Sequence, residues 1–131
     1  MNKNNIKITL GEIRKLVFDI CIKHGCDQVN ANALSNTITK AEEDGSSSHG
    51  LFRLPGYIAS LKSGKVNGKA APKVTNKTPV ILNCDADNGF ASMAHEVSLP
   101  LLADAAKVNG IATLSISGCY HFAALWPETE F

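Results

Sequence analysis

The stretch Pro79-Val80-Ile81-Leu82-Asn83-Cys84 decides the fold class, because it predicts a short buried strand that opens a strand–helix–strand unit. Residues 90–108 then place apolar side chains near helical spacing, and Ile111-Ala112-Thr113-Leu114-Ser115-Ile116 predicts a second buried strand. This order is typical of two parallel strands joined by a crossover helix. Pro100 inside the helical stretch predicts a kink or a break. The sequence therefore predicts an α/β (α+β) fold with its sheet in the second half of the chain.

The first half of the chain predicts three helices. Thr9 and Glu12 have the spacing of a capping box at the start of the first helix, which Gly25 is expected to end. A second helix is expected to start near Asp27 or Asn30, and its apolar residues recur at helical spacing. The first part of the chain is therefore expected to be an all-helical unit.

The third predicted helix covers residues 51–61. A hydroxyl of the tract Ser46-Ser47-Ser48 is expected to cap its start. Composition then changes across residues 63–72, where turn-forming residues predict a linker. These observations predict a helical unit over residues 1–64 and an incomplete strand–helix–strand unit over residues 65–131.

The composition excludes several classes of protein. The chain has 131 residues, 44% of them hydrophobic and 19% charged, which fits one globular domain. Its formal net charge of +1 and the lack of a basic stripe argue against a nucleic-acid partner. No apolar run approaches the roughly 18 residues of a membrane helix. Residues 1–7 are polar and do not resemble a signal peptide, so we expect a cytoplasmic protein.

The four cysteines, Cys21, Cys26, Cys84 and Cys119, form no C-x-x-C pair. Their apolar surroundings predict buried free thiols in a reducing compartment, not a disulfide framework. His24 lies close to Cys26, but no second ligand pair has the spacing of a zinc site. We therefore expect no bound metal at these residues.

A polar turn, Asp85-Ala86-Asp87-Asn88-Gly89, precedes the long helix. Two carboxylates spaced by two suggest calcium, but the later glutamate and the other ligand positions of a calcium loop are missing. The alternative is a turn in which Asp87 or Asn88 caps the helix that follows. The sequence favours this structural interpretation.

His49 and Arg53 are the principal candidates for a functional site, and they lie four residues apart. If the run is helical, their side chains share one face, one turn above the other. A 2-keto or 2-hydroxy acid needs both types of group, because imidazole exchanges a proton with the oxygen and guanidinium binds the carboxylate. The alternative is a solvated helix face.

His121 is a second candidate, because it follows a predicted strand and ligands bind at the strand C-termini of α/β sheets. The alternative is a loop histidine that fills a gap between Phe122 and Trp126. The sequence contains no G-x-G-x-x-G and no G-x-x-x-x-G-K-[ST] motif. A nucleotide would therefore have to be held in another way.

Three runs resemble, in order, blocks of the malate/L-lactate dehydrogenase family. They are Ser48-His49-Gly50 with Arg53-Leu54-Pro55 and Tyr57, then Asp85-Ala86-Asp87-Asn88-Gly89-Phe90, and finally His121-Phe122-Ala123-Ala124. This family includes ureidoglycolate dehydrogenase, diketogulonate reductase, sulfolactate dehydrogenase and cyclic-imine reductases. Ala123 departs from the glycine of many members.

The resemblance implies a two-domain oxidoreductase that uses NAD or NADP, with a nicotinamide-binding domain that is not a Rossmann fold. Members are typically homodimers that reduce a 2-keto acid or a related imine in a cleft between domains and subunits. By resemblance, His49 is the proton donor or acceptor and Arg53 binds the carboxylate. His121 matches the active-site base of some members, and Ser48 matches a neighbour that orients the site.

Members of the family are more than twice as long as this chain, so the resemblance implies a truncated protein. We expect the substrate half-site to be present, the cofactor half-site to be mostly missing, and the chain alone to have little or no activity. The alternative is a non-catalytic helical interaction module, or a truncated remnant that only dimerises or pairs with a missing half.

Overall fold

The computed structural model describes residues 6–121. This part of the chain forms four α-helices, one short 3-10 helix and a three-stranded sheet. In chain order the elements are α1 (Leu10–Lys23), α2 (Gln28–Glu43), the 3-10 helix (Leu51–Arg53), α3 (Leu54–Lys62), β1 (Lys73–Thr78), β2 (Ile81–Asp85), α4 (Ala91–Asn109) and β3 (Thr113–Ser117). The predicted class, helices followed by a small sheet, is confirmed.

Local side-chain caps start the first two helices; the capping box of Thr9 and Glu12 was predicted, and α2 starts near Asp27 as expected. Thr9 Oγ1 accepts a hydrogen bond from the Glu12 N–H at 3.2 Å, and Glu12 Oε2 accepts one from the Thr9 N–H at 2.8 Å. Asp27 Oδ1 accepts from the Asn30 N–H at 2.9 Å and caps α2. Gly25, between the two helices, has a φ of 102°, which only glycine adopts without strain.

Buried apolar side chains form two clusters, a larger one among the helices and a smaller one between the sheet and α4 that includes Cys84 and Ala94. The larger cluster holds the first half of the chain together. Residues of α1 and α2 form its centre, and Tyr57 of α3 is only 2% exposed. Phe90, which precedes α4, belongs to the same cluster, and its ring meets that of Tyr57 edge to face with centroids 5.0 Å apart. The fully buried residues at the centre are Val17, Cys21, Ala31, Leu34 and Ile38.

The parallel pair predicted from the strand–helix–strand pattern is confirmed. Strands β2 and β3 are parallel, with Ile81 opposite Thr113 and Asp85 opposite Ser117, and α4 connects them. The sheet has a third strand that the sequence did not predict, because β1 is antiparallel to β2 at the other side. Strand β1 is polar and mostly exposed, so it lacks the apolar alternation that identifies a strand.

Helix α4 continues through Pro100, so of the predicted kink or break the break is absent. Proline removes only one backbone hydrogen bond of the ladder, and buried residues such as Ala94 and Ser98 hold the turn before it against the rest of the protein. The end of the helix is as expected. Gly110 has a φ of 82° and its N–H donates to the Ala106 carbonyl at 2.8 Å.

The polar turn before α4 does not cap the helix. Phe90 is the N-cap residue and no side chain caps it, so the predicted role of Asp87 or Asn88 is wrong. Instead, Asp87 Oδ2 accepts hydrogen bonds from the Asn67 side-chain amide and the Ala71 N–H, both at 3.1 Å. These two donors lie outside any helix or strand, and the Asp87 carboxylate accepts from both. It therefore attaches the segment before β1 to the turn that follows β2.

A substitution at Gly89 tests this close packing. A Cβ atom at Gly89 would lie 2.4 Å from the Cβ of Ala70, so we expect Gly89→Ala to destabilise the protein by about 1–3 kcal/mol through overpacking. Gly56→Ala is the matched control, because nothing lies within 4 Å of that position on α3 and alanine favours a helix. Urea unfolding followed by circular dichroism measures both changes. Equal stability of the two variants would contradict the packing described here.

Candidate active site

His49 lies in a turn and not on a helix. Residues 47–50 form turns, and α3 begins only at Leu54, so the predicted stacking of His49 and Arg53 along one helix is wrong. The two residues are nevertheless linked through Ser48. The Ser48 hydroxyl lies 3.0 Å from His49 Nδ1, and Arg53 Nε donates a hydrogen bond to the Ser48 carbonyl at 2.9 Å. Ser48, His49 and Arg53 are hereafter the Ser48–Arg53 site.

Two hydroxyls hold the His49 ring by one nitrogen. The Ser46 hydroxyl lies 3.3 Å from Nδ1, in addition to the Ser48 hydroxyl at 3.0 Å. The backbone is held too, since the His49 N–H donates to the Ser46 carbonyl at 2.8 Å. These hydroxyls were expected to cap the third helix, but no side-chain hydroxyl caps it. They orient the imidazole instead.

The cap at the start of the 3-10 helix comes from α2. Glu42 Oε1 accepts a hydrogen bond from the Leu51 N–H at 2.7 Å. The intervening Gly50 is buried, and a Cβ atom there would lie 2.0 Å from the same oxygen. Sequence reasoning missed Glu42, because a partner nine residues away does not follow the spacing of a local capping box.

An aromatic side chain stands beside the site. Phe52 is 75% exposed and lines an open cavity of about 210 Å³ together with Ser47 and Ser48. Phe52 precedes Arg53 in the chain, and its exposed ring gives the cavity an apolar wall. An apolar wall beside two serine residues suits a small ligand that is partly apolar.

Tyr57 is buried beneath the site and stays neutral. Burial raises the pKa of its phenol to about 12, while the nearby positive charge of Arg53 acts in the opposite direction. The phenol therefore remains protonated in the physiological range. The ring contributes packing against Phe90 and is not a proton carrier for the site.

His121 lies at the carboxyl end of the parallel strands, as predicted. Beyond β3, the Tyr120 N–H donates to the Gly89 carbonyl at 2.8 Å, and the Ala91 N–H donates to the Tyr120 carbonyl at 2.9 Å. These bonds bring His121 beside α4, where its ring centroid is 5.7 Å from that of His95. Its proposed neighbours Phe122, Ala123, Ala124 and Trp126 lie outside the described residues.

Potential metal ligands do not cluster within residues 6–121, and two of the buried cysteines are weakly acidic thiols. In that range no group of three or more His, Cys, Asp or Glu side chains is placed to hold a metal ion. Cys21, Cys26 and Cys84 are buried, and Cys119 is half-buried. Hydrogen bonding with Cys26, with burial acting in the same direction, raises the pKa of Cys21, and burial raises that of Cys84. These two thiols therefore remain protonated and are poor nucleophiles.

Membrane insertion through a helix also finds no support in the described part of the chain. None of its helices combines the length and the apolar composition needed to cross a bilayer.

Comparison with known proteins finds reductases and dehydrogenases of one family. The family model described as malate/L-lactate dehydrogenase matches residues 8–131. A Delta(1)-pyrroline-2-carboxylate reductase of Ancylobacter novellus is 44% identical over 125 residues, which are 95% of this chain and 37% of that protein. A Delta(1)-pyrroline-2-carboxylate/Delta(1)-piperideine-2-carboxylate reductase of Pseudomonas aeruginosa is 39% identical over the same shares. The chain thus spans about 37% of the length of these curated relatives.

Comparison with solved structures also finds a reductase and a dehydrogenase. The crystal structure of delta1-piperideine-2-carboxylate reductase from Pseudomonas syringae pv. tomato matches with a TM-score of 0.92 and 41% identity over 96% of this chain and 38% of that one. Sulfolactate dehydrogenase from Methanocaldococcus jannaschii matches with a TM-score of 0.87 and 26% identity over 95% of this chain and 36% of that one. Because the family model covers nearly all of its residues, this chain belongs to the malate/L-lactate dehydrogenase family.

Proposed function

We propose that this chain supplies the substrate-binding and proton-transfer half of an NAD- or NADP-dependent reductase. Its substrate is a small 2-carboxylate, either a 2-keto acid and its 2-hydroxy product or a cyclic imine that carries the carboxylate on the imine carbon. The observation that carries this proposal is the Ser48–Arg53 site, in which one residue, Ser48, contacts both the imidazole and the guanidinium.

Arg53 binds the substrate carboxylate. The hydrogen bond from Nε to the Ser48 carbonyl fixes the plane of the guanidinium, so its terminal N–H groups have a set direction. A planar guanidinium held in this way binds a carboxylate through two parallel hydrogen bonds. Arg53 is exposed, as a residue that receives a ligand from solvent must be.

His49 exchanges the proton. Addition of a hydride to a carbonyl or imine carbon leaves an electron pair on the oxygen or nitrogen, and an imidazolium can donate a proton to it. The hydroxyls of Ser46 and Ser48 hold the ring during this transfer. His121, at the strand ends, is proposed as a second imidazole of the complete site, where it acts as a base in the direction of oxidation.

A cyclic imine fits the surroundings better than malate does. The ring of a five- or six-membered imine is apolar except at its nitrogen and carboxylate, and Phe52, which precedes Arg53 in the chain, provides an exposed apolar surface in the cavity that Ser48 also lines. Malate would need a second cation for its second carboxylate, and the cavity beside the site is lined by two serines and Phe52. Two of the relatives named above, from Ancylobacter novellus and Pseudomonas aeruginosa, are reductases of such imines.

The turn before α4 does not suit the phosphates of the cofactor. The turn before α4, where an α/β protein commonly binds phosphate, carries the carboxylates of Asp85 and Asp87, which repel anions. A reduced nicotinamide would supply the hydride. We therefore assign no cofactor contact to the described residues, and their roles are limited to the substrate and the proton.

A second candidate function is a helical interaction module. An open apolar cavity of about 470 Å³ lies between α1 and α3, and its lining includes Ile20, Leu54 and Ile58. We propose that a second copy of the chain covers it, because the family resemblance implies homodimers. This function is compatible with the first, since members of the family bind substrate near a subunit boundary.

Arg53→Lys tests carboxylate binding. The variant keeps the charge but loses the planar fork, so its affinity for pyrrole-2-carboxylate, a stable planar analogue of the cyclic imines, should fall about tenfold. Isothermal titration calorimetry measures this. Arg14→Lys is the matched control, because Arg14 lies on α1 and contributes to a different cavity. Equal affinities of the two variants would remove Arg53 from the site.

His49→Ala tests proton transfer. NADH and NADPH oxidation should be measured with Delta(1)-pyrroline-2-carboxylate, pyruvate and oxaloacetate, and we expect the cyclic imine to be reduced fastest, although the 131 residues alone should turn over slowly. His49→Ala should lower any rate by at least about a hundredfold, because general acid catalysis contributes that much. Lys107→Ala on the exposed face of α4 is the control. An unchanged rate in His49→Ala would exclude His49 from the mechanism.

Ala59→Glu tests the proposed dimer. Ala59 is exposed and lines the apolar cavity, so a buried charge there should shift the protein from dimer to monomer. Size-exclusion chromatography with light scattering measures the mass. Asn76→Glu on the exposed strand β1 adds the same charge elsewhere and should leave the dimer intact. A monomeric wild-type chain would contradict this second candidate.

A further inference from the structure

We propose that Glu42 of α2 is a positioning residue for the Ser48–Arg53 site. Its carboxylate holds the start of the 3-10 helix and thereby sets the spacing between the imidazole and the guanidinium. The inference deepens the proposed function and rests on it for the identity of the ligand. Glu42 itself touches no reacting group in this account, because it acts through the backbone that carries His49 and Arg53.

The contact is a charge-assisted hydrogen bond. The Leu51 N–H donates to Glu42 Oε1 at 2.7 Å, and Leu51 lies midway between His49 and Arg53 in the chain. The first N–H groups of a helix lack partners within the helix, so an acceptor from another element fixes where the helix starts. A carboxylate is the preferred acceptor at this end because the helix dipole is positive there.

Gly50 shows that the fit between Glu42 and the loop is close. A Cβ atom at Gly50 would lie 2.0 Å from Oε1, 2.5 Å from Cδ and 2.8 Å from Cγ of Glu42. The whole outer part of the Glu42 side chain therefore lies against the Gly50 backbone. This contact explains why glycine follows His49, since any other residue would displace the carboxylate from Leu51.

The segment around the site is tied at each end. Before His49, the Ser46 N–H donates to the Ala41 carbonyl at 2.8 Å and joins the loop to the last turn of α2. After it, the chain enters α3, whose Leu54 and Tyr57 side chains are buried in the core. The bond from Glu42 lies between these two anchors. Loss of the carboxylate would therefore free the middle of the segment while its ends remain attached.

A purely structural cap would behave differently, and the chain offers a comparison. Thr9 caps α1 by a similar hydrogen bond, far along the chain from the site. Removal of either cap should lower stability by a similar amount. Only removal of Glu42 should also change the site. The neighbouring Glu43 is exposed and pairs with Lys40 at 3.5 Å, so it controls for loss of charge on the same helix.

The experiment compares Glu42→Ala, Glu42→Gln, Glu43→Ala and Thr9→Ala in the full chain. NMR reports the Arg53 Nε–H and His49 ring signals without any ligand, and calorimetry reports the affinity for pyrrole-2-carboxylate. We expect Glu42→Ala to shift both sets of signals and to weaken binding about tenfold. Glu42→Gln keeps the acceptor oxygen and should restore most of the affinity. Glu43→Ala and Thr9→Ala should bind within about twofold of wild type.

Two results would overturn the inference. Wild-type positions of the Arg53 and His49 signals in Glu42→Ala would show that the carboxylate does not position them. An equal loss of affinity in Thr9→Ala would show that stability alone accounts for the effect. If Glu42→Ala does not fold, Glu42→Asp replaces it, because the shorter side chain keeps the charge but should not reach Leu51. Failure of the wild-type chain to bind the analogue would count against the proposed function, while the ligand-free signals would still decide the role of Glu42.

Discussion

The hydrogen bond between the Leu51 N–H and the Glu42 carboxylate is the constraint on which the account of the site depends. It connects the end of α2 to the segment that carries the candidate site, and it requires a glycine at position 50 because the carboxylate occupies the space of a side chain. With the segment held in its middle, Arg53 reaches back to the Ser48 carbonyl and the serine hydroxyls reach His49. A catalytic arrangement built on a loop needs this kind of support, since loops are otherwise less precise than helices or strands.

The hydrophobic core also holds the segment that carries the candidate site, through contacts with more distant parts of the chain. Tyr57 follows the site on α3, and its ring packs against Phe90 at the end of the polar turn that leaves β2. The segment that carries the candidate site and the carboxyl edge of the parallel strands are thus joined by one contact between buried aromatic rings. His121 lies at that edge beside His95. In α/β proteins this edge is where ligands bind, so the core connects the two regions from which the proposed site would be assembled.

Features set by short-range chemistry could be predicted from the sequence. The caps at Thr9 and Asp27 depend on residues three positions apart, and the parallel pair depends on apolar runs of strand length. Features set by distant partners could not. Glu42, and not a serine hydroxyl, accepts the hydrogen bond at the start of the 3-10 helix, while Ser46 and Ser48 contact His49. Likewise, Asp87 accepts a hydrogen bond from the segment before β1 and does not cap α4. Strand β1 is polar because it is an exposed edge, which removes the pattern that would identify it. The choice of Ser48, His49 and Arg53 as site residues rested on residue chemistry and family resemblance, whereas the loop geometry that links them came from the structure.

The most direct test of the central claim is a crystal structure of the chain with pyrrole-2-carboxylate. The account predicts that the carboxylate of this molecule lies on the Arg53 guanidinium, with its ring against Phe52 and its nitrogen within hydrogen-bonding distance of the His49 imidazole. A bound analogue at any other place, or a structure in which the imidazole and the guanidinium face opposite surfaces, would contradict it.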